Sequence, residues 1–509
     1  MSPLRIGGLA SGMDIDSIVN DLMKVERIPL DKLKQEKQLL EWKKEDYLEI
    51  NRKLMELRDS AFSLKLESAF NAKNAASSNE DAVGVSAGGS AVQGTYTVTV
   101  HQLAEGVFKA STSELADESN GNSTKTLYEQ FQAEFDARGF TSSDTITFTL
   151  NGTEFSFNLG TDNIYTVVSK INNADLGVTA SYDADLNRFF LTTTTTGSNA
   201  KITVTSDSAD FISNGTNTSI LKLNIDEGTT YTGKDAVYDF GDAKDLTSST
   251  NTATINGLTL EFKQGGSVTS TITVTNDTDT VFNTIKEFVD LYNETLELIN
   301  SKLWEERYRD YPPLTDAQKE EMTEKEIELW EEKARSGLLQ SDDLLRSIVG
   351  DMRLTMAGVV KNLNKQYDSL DDIGIATQSW QEYGKLYIDE DKLKEALEKN
   401  LDSVKELFAK NSNVGSEKGI AERLYDVLDA GIDKIADRAG IELGFSLVDN
   451  SYLGKKIRDM NQSIEEWEDR LVEIENRYWR EFTMMEKAIN QMNMQSMWLM
   501  QQFGSNMWM

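Results

Sequence analysis

The sequence has no cysteine and only one histidine, His101, among its 509 residues. The absence of cysteine excludes disulfide bonds, thiolate metal sites and a cysteine nucleophile. A Ser-His-Asp triad or a histidine-based metal site would need His101, which lies on the polar side of a predicted strand, Thr95–Leu103. We therefore expect neither enzymatic activity nor a cofactor.

Basic residues and long apolar runs are also scarce. The chain has 52 lysines and arginines against 85 aspartates and glutamates, which gives a net charge of −33. This charge repels phosphate backbones and anionic lipid surfaces, so we expect no nucleic-acid binding. No run approaches about eighteen apolar residues, so we expect no membrane insertion. The first residues lack the basic and apolar segments of a Sec-type signal peptide, so export would use another route.

Two short motifs superficially resemble binding sites. The glycines of GGLASG, Gly7–Gly12, follow no strand and precede no Lys-Ser or Lys-Thr pair, which disfavours a phosphate-binding loop. The acidic segment Asp183–Asn187 resembles the start of a calcium loop, but Arg188 and Thr194 occupy the positions that need glycine and glutamate. A hairpin turn is the better interpretation, and we expect no metal site.

The end of the sequence carries one apolar stripe at helical spacing. No proline or glycine occurs between Lys455 and Phe503. The apolar positions are separated by three and four residues in turn, with one stutter between Tyr478 and Phe482. They are Ile457, Met460, Ile464, Trp467, Leu471, Ile474, Tyr478, Phe482, Met485, Ile489, Met492, Leu499 and Phe503, and the polar Ser496 continues the spacing between the last three. A helix of this length spans about 70 Å, and its stripe needs a partner.

The N-terminal sequence predicts helices whose apolar faces can pack against this stripe. Asp14 or Asp16 can cap a short helix, which Pro29 either kinks or replaces with a new helix at Leu30. The apolar face of the short helix is predicted to be Ile15, Ile18, Leu22 and Val25. The heptad positions that follow are Leu33, Leu40, Tyr47, Leu54 and Ala61, with Ile50, Leu57 and Leu64 between them. Glu36 and Lys43 interrupt the second row, so this stripe is weakest before Tyr47.

A third apolar stripe, from Phe282 to Leu303, offers the terminal helices a partner within the chain. Further helices are predicted at Leu338–Leu363, Asp391–Phe408 and Gly419–Ala439. The terminal helices are therefore expected to pair with each other, with other copies of the chain, or with both.

The middle of the sequence alternates apolar and polar residues, which predicts strands. Hairpin turns are indicated by Asn151-Gly152 and Asn256-Gly257, and a short helix by Ile164–Ile171. Residues 71–94 are rich in small residues and are interpreted as a linker. Residues 304–335 are highly charged, with Trp304 and Trp330 as expected apolar anchors.

These patterns predict an α+β multidomain fold, in which mostly-β domains are inserted into a discontinuous helical, coiled-coil domain built from both chain ends and residues 282–455. The predicted divisions are a terminal helical leg domain, 1–44 with 465–509; a helical bundle, 45–80 with 280–464; a β domain, 81–112 with 226–279; and an inserted, variable β domain, 113–225.

The last helix is also unusually rich in methionine and tryptophan. Methionine adapts to imperfect or changing partners, and tryptophan is a preferred interface anchor. Ordinary core packing would explain Met485 and Met492, but Trp498, Met500 and Trp508 lie off the stripe. The end of the chain is therefore interpreted as a docking surface.

Several motifs resemble a known family. The segment GLASGMDIDSIV, Gly8–Val19, resembles the N-terminal signature of the bacterial flagellar filament cap protein family, also called flagellar hook-associated protein 2. Further matching segments follow in the family's order: Tyr47–Phe70, Thr95–Ala104, Gly233–Gly241, Ser248–Phe262, Gly337–Ile348, Leu370–Gln378, Gly384–Leu397 and the terminal helix. The resemblance covers most of the chain and is weakest at 113–225.

The resemblance implies a non-enzymatic assembly protein. It would leave through the flagellum-specific export channel, form a homo-oligomer at the flagellum tip and promote insertion of flagellin. The family also implies contacts with junction proteins of the hook-filament axis and an export chaperone that binds the C-terminal helix. The expected assembly contacts are Ile15, Ile18, Leu22, Val25, Leu33, Leu40, Tyr47, Ile464, Trp467, Leu471, Met485, Ile489, Met492, Trp498, Leu499 and Phe503.

Other functions stay open at this point. The main alternative is a secreted surface adhesin that binds host glycan or mucin through the threonine-rich β region, 141–205. A glycan-active enzyme would need paired acids in a groove, which the sequence does not single out. A related axial protein, such as flagellin or a junction protein, is disfavoured by the helix-rich segment 282–440.

Overall fold

The computed structural model describes residues 12–115, 125–214, 218–363, 366–441 and 449–504. The chain forms two compact units. Unit 1 comprises Met1–Phe70 with Thr278–Met509, and unit 2 comprises Asn71–Asp277. The predicted insertion of a β-rich segment into a helical one is therefore confirmed. The finer division into four domains stays a prediction.

The described α-helices alternate with strands along the chain. In chain order they are α1 (Ile15–Lys65), α2 (Leu127–Gln130), α3 (Gln132–Ala137), α4 (Ile164–Asn173), α5 (Thr278–Trp304), α6 (Asp316–Glu320), α7 (Glu324–Arg335), α8 (Asp343–Met356), α9 (Glu390–Ala409), α10 (Ile420–Ala439) and α11 (Tyr452–Gly504).

The described strands are mostly short and concentrated in unit 2. They are β1 (Lys73–Ser77), β2 (Val83–Ala87), β3 (Gly94–Gln102), β4 (Phe108–Ala110), β5 (Thr145–Leu150), β6 (Thr153–Asn158), β7 (Val178–Asp183), β8 (Arg188–Thr193), β9 (Lys201–Asp207), β10 (Thr230–Thr232), β11 (Ala236–Phe240), β12 (Ala243–Ser248), β13 (Thr252–Ile255), β14 (Leu258–Phe262), β15 (Val268–Asn276), β16 (Ile375–Thr377) and β17 (Leu386–Ile388).

The inner half of α1 lies in the core of unit 1, packed against α5 and α10. The heptad residues that were predicted there are buried: Tyr47, Ile50, Leu54, Leu57, Ala61 and Leu64. The stripe on α5 is buried as well, from Phe282 to Leu303. Apolar side chains at spacings of three and four share one helix face, so these helices bury their stripes against each other. The stripe on α5 is therefore a partner for the N-terminal stripe within the chain, as expected.

Pro29 does not begin a new helix, because α1 runs from Ile15 to Lys65 without a break. Proline cannot supply the amide hydrogen that the carbonyl of Val25 would accept. Pro29 lies on the exposed side of α1, where water can reach that carbonyl.

The predicted cap at the start of α1 is confirmed, since Asp14 Oδ1 accepts a hydrogen bond from the Ser17 amide at 3.0 Å.

The charged segment 304–335 folds against α1 within unit 1. Gln35 Nε2 donates to the carbonyl of Pro313 at 2.7 Å, and Trp330 Nε1 donates to that of Pro312 at 2.7 Å. The Trp330 ring is half-buried beside that of Tyr311, with 4.8 Å between the centroids, so it is anchored as expected. Trp304 is not, because its side chain is exposed and lies beside the ring of Tyr383, with 5.6 Å between the centroids.

Unit 2 contains two sheet pairs, each with its own core. The order β1-β15-β3-β11-β12 forms a five-stranded sheet, which shares a core with the three-stranded sheet β13-β14-β2. The four-stranded sheet β10-β9-β5-β6 shares the other core with the three-stranded sheet β4-β8-β7 and helix α4. All strand pairs among the described residues are antiparallel.

The predicted hairpins in unit 2 are confirmed. Asn151 and Gly152 link β5 and β6 with φ angles of 48° and 86°, the left-handed pair that a tight hairpin turn requires. Asn256 and Gly257 do the same between β13 and β14. The acidic segment Asp183–Asn187 joins β7 to β8 as a turn, as expected.

Two predicted boundaries were wrong. Residues 71–94 are not a linker, since they contain β1 and β2, which pair with β15 and β14. Their small side chains give no apolar alternation, so pairing with distant strands decides their structure. The helix predicted at Leu338–Leu363 is shorter, because Asp342 caps α8 and the helix ends at Met356.

Candidate docking site on the terminal helices

The outer half of α1 and helix α11 form an antiparallel pair with a small core of its own. The buried residues of this core are Ile15, Val19, Met23, Leu30, Ile464, Leu471 and Ile474. Half-buried side chains pack around them: Met13, Leu33, Trp467, Tyr478, Trp479 and Phe482. We call this pair the leg. The predicted pairing of the two chain ends within one molecule is thus observed.

Two polar contacts fix the register of the leg. The Tyr478 hydroxyl donates to Glu26 Oε1 at 2.9 Å, and Lys34 Nζ lies 2.9 Å from Glu468 Oε1. The hydrogen bond to Glu26 raises the pKa of the Tyr478 phenol. If this one-for-one register continues, Ile15 is level with Ile489. Helix α11 therefore extends past the start of α1.

The inward face of α1 differs from the predicted one. Ile15 belongs to it, but Val19, Met23 and Leu30 complete it, and these three were not singled out. Ile18 is half-buried, Leu22 is exposed, and Val25 is 65% exposed. The spacing of four residues from Ile15 to Val19 to Met23 was the signal that could have identified the inward face.

The outward residues form an exposed apolar strip on α1. Leu22, Val25 and Ile28 are all exposed and recur at spacings of three residues, so they lie along one side of the helix. We call these three residues the outer strip. Nothing in the described part of the chain covers them.

The remaining predicted contact residues fall into three environments. Ile464 and Leu471 are buried in the leg, with Trp467 and Leu33 half-buried beside them. Tyr47 lies in the bundle core instead, where its hydroxyl donates to Asp342 Oδ2 at 2.6 Å, and Leu40 is half-buried. Met485 and Ile489 are half-buried, whereas Met492, Trp498 and Leu499 are exposed. The side chain of Phe503 lies outside the described residues.

The end of α11 presents a large uncovered apolar surface. Six side chains there are between 46% and 73% exposed: Met492, Met494, Met497, Trp498, Leu499 and Met500. We call this set the apolar tail. From Ala488 to Met509 the sequence contains no charged residue, although 27% of the whole chain is charged. Exposed apolar side chains without interspersed charge are typical of an interaction surface.

One cluster in unit 2 has the residue types of a metal site. His101 Nε2 lies 3.1 Å from Asp239 Oδ2, and Asp245 offers a third ligand atom nearby. Lys244 Nζ is 3.2 Å from the same Asp239 oxygen, and the Asp245 amide donates to the other at 3.0 Å. The Asp239 carboxylate is therefore already neutralised and hydrogen-bonded, which favours a structural ion pair over cation binding.

The described residues contain no helix long and apolar enough to cross a membrane.

Comparison with known proteins identifies the family. A family model described as Flagellar hook-associated protein 2 C-terminus matches residues 233–494, and the corresponding N-terminus model matches residues 11–107. Flagellar hook-associated protein 2 of Halalkalibacterium halodurans is 33% identical over 537 residues, covering 98% of this chain and all of that protein. The chain belongs to the flagellar hook-associated protein 2 family.

Other members of the family and one solved structure agree with this assignment. Flagellar hook-associated protein 2 of Thermotoga maritima is 28% identical, covering 98% of this chain and 95% of that protein. The crystal structure of the flagellar cap protein FliD D1-D2-D3 domains from Escherichia coli shares the fold at a TM-score of 0.53 and 19% identity, covering 82% of this chain and 99% of that one. A third model, the Flagellin hook IN motif, matches residues 145–195. None of these comparisons supports the adhesin alternative.

Proposed function

We propose that the leg is the part of this protein that docks on the end of the growing filament. The chain is a flagellar cap protein that promotes assembly of the filament, as its family indicates. The observation that carries the proposal is the apolar tail, six exposed side chains on a helix end without charge. Burial of each contributes roughly 1.5–3 kcal/mol, so covering the set is strongly favourable.

The mechanism follows from the contrast between the two parts of the leg. In one part of the leg, residues 15–33 of α1 and residues 464–482 of α11 already cover each other. Beyond Ile489, helix α11 continues without a described partner from the same molecule. Contact with subunits of the filament would order a surface of this kind and lower its free energy. Methionine side chains can repack against a new subunit each time the protein moves, so the tail can hold and release.

Homo-oligomer formation is the second part of the proposal. The outer strip of Leu22, Val25 and Ile28 faces away from α11 within the same leg. A neighbouring copy can cover this strip with its own leg, because a second apolar stripe on a helix allows contact with two partners at once. The predicted contacts Ile18, Leu22 and Val25 would then act between copies, while Ile464 and Leu471 act within one.

The proposed setting is the flagellum tip, reached through the flagellar export channel, with flagellin as the substrate of assembly. The match of residues 145–195 to the Flagellin hook IN motif supports a relationship with axial proteins of the flagellum. An export chaperone that covers the apolar tail before assembly is part of the proposal, since the same surface would otherwise be exposed to water. Contact with junction proteins of the hook-filament axis stays a prediction from the resemblance.

The docking proposal is tested by making the tail polar without breaking the helix. The variant carries Met494→Gln, Met497→Gln and Met500→Gln, since glutamine matches methionine in length and helix propensity. The matched control carries Gln491→Ala, Gln495→Ala and Gln501→Ala on the same stretch. Both are produced in a flagellated bacterium that lacks its own cap protein, and filaments are examined by electron microscopy.

We expect the methionine variant to remain folded and exported but to leave cells without filaments and with unpolymerised flagellin in the medium. The glutamine control should restore filaments. Normal filaments on cells with the methionine variant would overturn the docking role of the tail.

The role of the outer strip in forming the oligomer is tested by light scattering. Leu22→Asp with Val25→Asp should lower the measured mass, whereas Asn20→Asp should not. An unchanged mass would overturn the role of the outer strip.

A further inference from the structure

A groove with a volume of about 750 Å³ lies in unit 1, far along the chain from the leg residues. One wall is α8, and the other is the ribbon of β16 and β17 with the loop that precedes it. Its lining includes Tyr292, Arg353, Leu354, Ile375, Thr377 and Gly384. The proposed docking function uses none of these residues.

Tyr292 contributes a hydroxyl group that has no partner. The side chain is 0% exposed, and its hydroxyl makes no hydrogen bond with any described residue. Burial raises the pKa of this phenol, so it remains protonated and can donate. A buried hydroxyl without a partner costs about 1–3 kcal/mol, which a bound acceptor would recover.

Arg353 supplies an unpaired cation in the same groove. Its side chain is exposed, and its guanidinium makes no hydrogen bond or ion pair within the described ranges. Arg353 and Tyr292 line the same groove, and the positive charge of Arg353 opposes the rise in the pKa of the Tyr292 phenol. Asp371 also lines the groove but does not pair with Arg353.

Gly384 sets the position of Arg353. Its φ angle is +98°, and a Cβ atom added there would lie 2.6 Å from Arg353 Nε. The Cβ atom of any other residue would collide with the Arg353 side chain and displace it from the backbone at position 384. The backbone of that residue would also be strained at this φ angle. The glycine therefore lets the guanidinium lie across the ribbon at the edge of the groove.

Strand β16 lines the groove and has no second neighbouring strand among the described residues. Strand β16 pairs only with β17 in the described structure. The amide of Ile375 donates to Leu370 on the side away from β17, while the carbonyl of Gly374 accepts from Asp389. Backbone groups alternate in direction along an antiparallel strand, so the amide and carbonyl of Thr377 also face away from β17. Because the Ile375 amide is already used, an added strand would pair through the amide and carbonyl of Thr377.

We propose that this groove binds an extended, acidic segment of a partner protein, which adds a strand to β16 and places a carboxylate between Arg353 and the Tyr292 hydroxyl. A planar guanidinium and a phenol are both donors, and a carboxylate accepts from both at once. The exposed side chain of Leu354 and the buried Ile375 offer apolar contact to the flanking residues of the segment. This inference does not depend on the docking function of the leg.

The test uses the full chain and a short fluorescein-labelled peptide of alternating threonine and valine with glutamate at its centre. A second peptide carries glutamine in place of the glutamate. Binding is followed by fluorescence anisotropy at physiological ionic strength. We expect saturable binding of the glutamate peptide, about ten-fold tighter than binding of the glutamine peptide, since a charge-assisted pair is lost.

Three variants locate the effect. Arg353→Gln should reduce the affinity for the glutamate peptide to that for the glutamine peptide, whereas Arg346→Gln, on the same helix but outside the groove lining, should not. Tyr292→Phe should lower the affinity for the glutamate peptide several-fold, because the hydroxyl that would donate to the carboxylate is removed. It should not lower Tm, because that hydroxyl has no partner among the described residues.

Three results would overturn the proposal. One is equal affinity for both peptides, and another is the absence of saturable binding. The third is competition by free succinate at concentrations comparable to the peptide, which would indicate a small-anion site rather than a peptide groove. Because Tyr292→Phe is expected to fold normally, its binding result remains informative even if Arg353→Gln is unstable.

Discussion

Lys302 Nζ lies 2.9 Å from Asp46 Oδ1, which joins α5 to the inner half of α1. Asp46 is only 1% exposed, and Arg335 Nη2 reaches the same oxygen at 3.1 Å from the end of α7. One buried carboxylate thus ties the charged segment and the bundle to the helix that continues into the leg. Its other oxygen, Oδ2, has no partner among the described residues.

Removal of this carboxylate should destabilise unit 1. We expect Asp46→Ala to lower the free energy of unfolding by about 2 kcal/mol, less than for a fully buried pair because both cations retain access to water. The measurement is urea unfolding followed by circular dichroism. The adjacent, exposed Glu45→Ala is the matched control and should cost much less, although Glu45 also contacts Arg335. Equal losses would show that burial of Asp46 is not important.

The core of the leg should be open to separate disruption. Leu471 is 6% exposed and Val472 is 58% exposed, at neighbouring positions of α11. Leu471→Ala should speed amide hydrogen exchange in residues 15–30 and 464–482 while leaving the bundle protected, since Leu→Ala in a core costs about 2–5 kcal/mol. Val472→Ala should change little. Faster exchange throughout α5 and α10 would contradict an independent leg core.

Replacement of Pro29 should stiffen α1. Proline within a helix costs about 3 kcal/mol relative to alanine, because it removes one hydrogen bond and crowds the preceding turn. Pro29→Ala should therefore slow amide exchange in residues 18–28, with Lys32→Ala on the same exposed side as the control. Unchanged or faster exchange would show that the surrounding packing, and not the proline, limits the stability of this stretch.

Acid should remove a stabilising contribution of Asp239. The Asp245 amide, Lys244 and His101 hold the pKa of this carboxyl below its usual range. A depressed pKa in the folded state stabilises the fold above the pKa of the unfolded chain, about 3.9, and the effect is lost as pH falls through the folded value. Asp239→Asn should therefore have a lower Tm than the parent at pH 7, with the difference shrinking below about pH 4.

The control for this prediction is Asp242→Asn, which removes one exposed charge from the connection between β11, which contains Asp239, and β12. Its Tm at pH 7 should stay close to that of the parent. A difference between Asp239→Asn and the parent that is constant with pH would refute a role for the ionised carboxylate.

The sequence predicted those helices and turns that are specified by residues close together along the chain. The stripe on α5 and the long helix α11 were identified because seven or more apolar positions share one helix face. The Asn-Gly turns were identified because few residues adopt the left-handed conformation there. Strands β1 and β2 were missed, because Lys73–Ser77 becomes a strand only by pairing with residues 272–276, far along the chain.

The candidate site was predicted in part for the same reason. The apolar tail can be recognised from its composition, and the structure leaves it exposed. The inward face of α1 was harder, because Ile15 fits two stripes and Glu26, which accepts the hydrogen bond from Tyr478, interrupts the correct one. The groove beside β16 has no local signature, since Tyr292, Arg353 and Thr377 come from three separate elements.

The hydrogen bond between Tyr478 and Glu26 spans 452 positions of the sequence. A ribosome completes the first half of this contact long before it makes the second. An incomplete polypeptide lacks the partner of the outer half of α1, whereas the inner half can still pack against α5 and α10. A product truncated before α11 therefore cannot form the leg that we propose docks on the end of the filament.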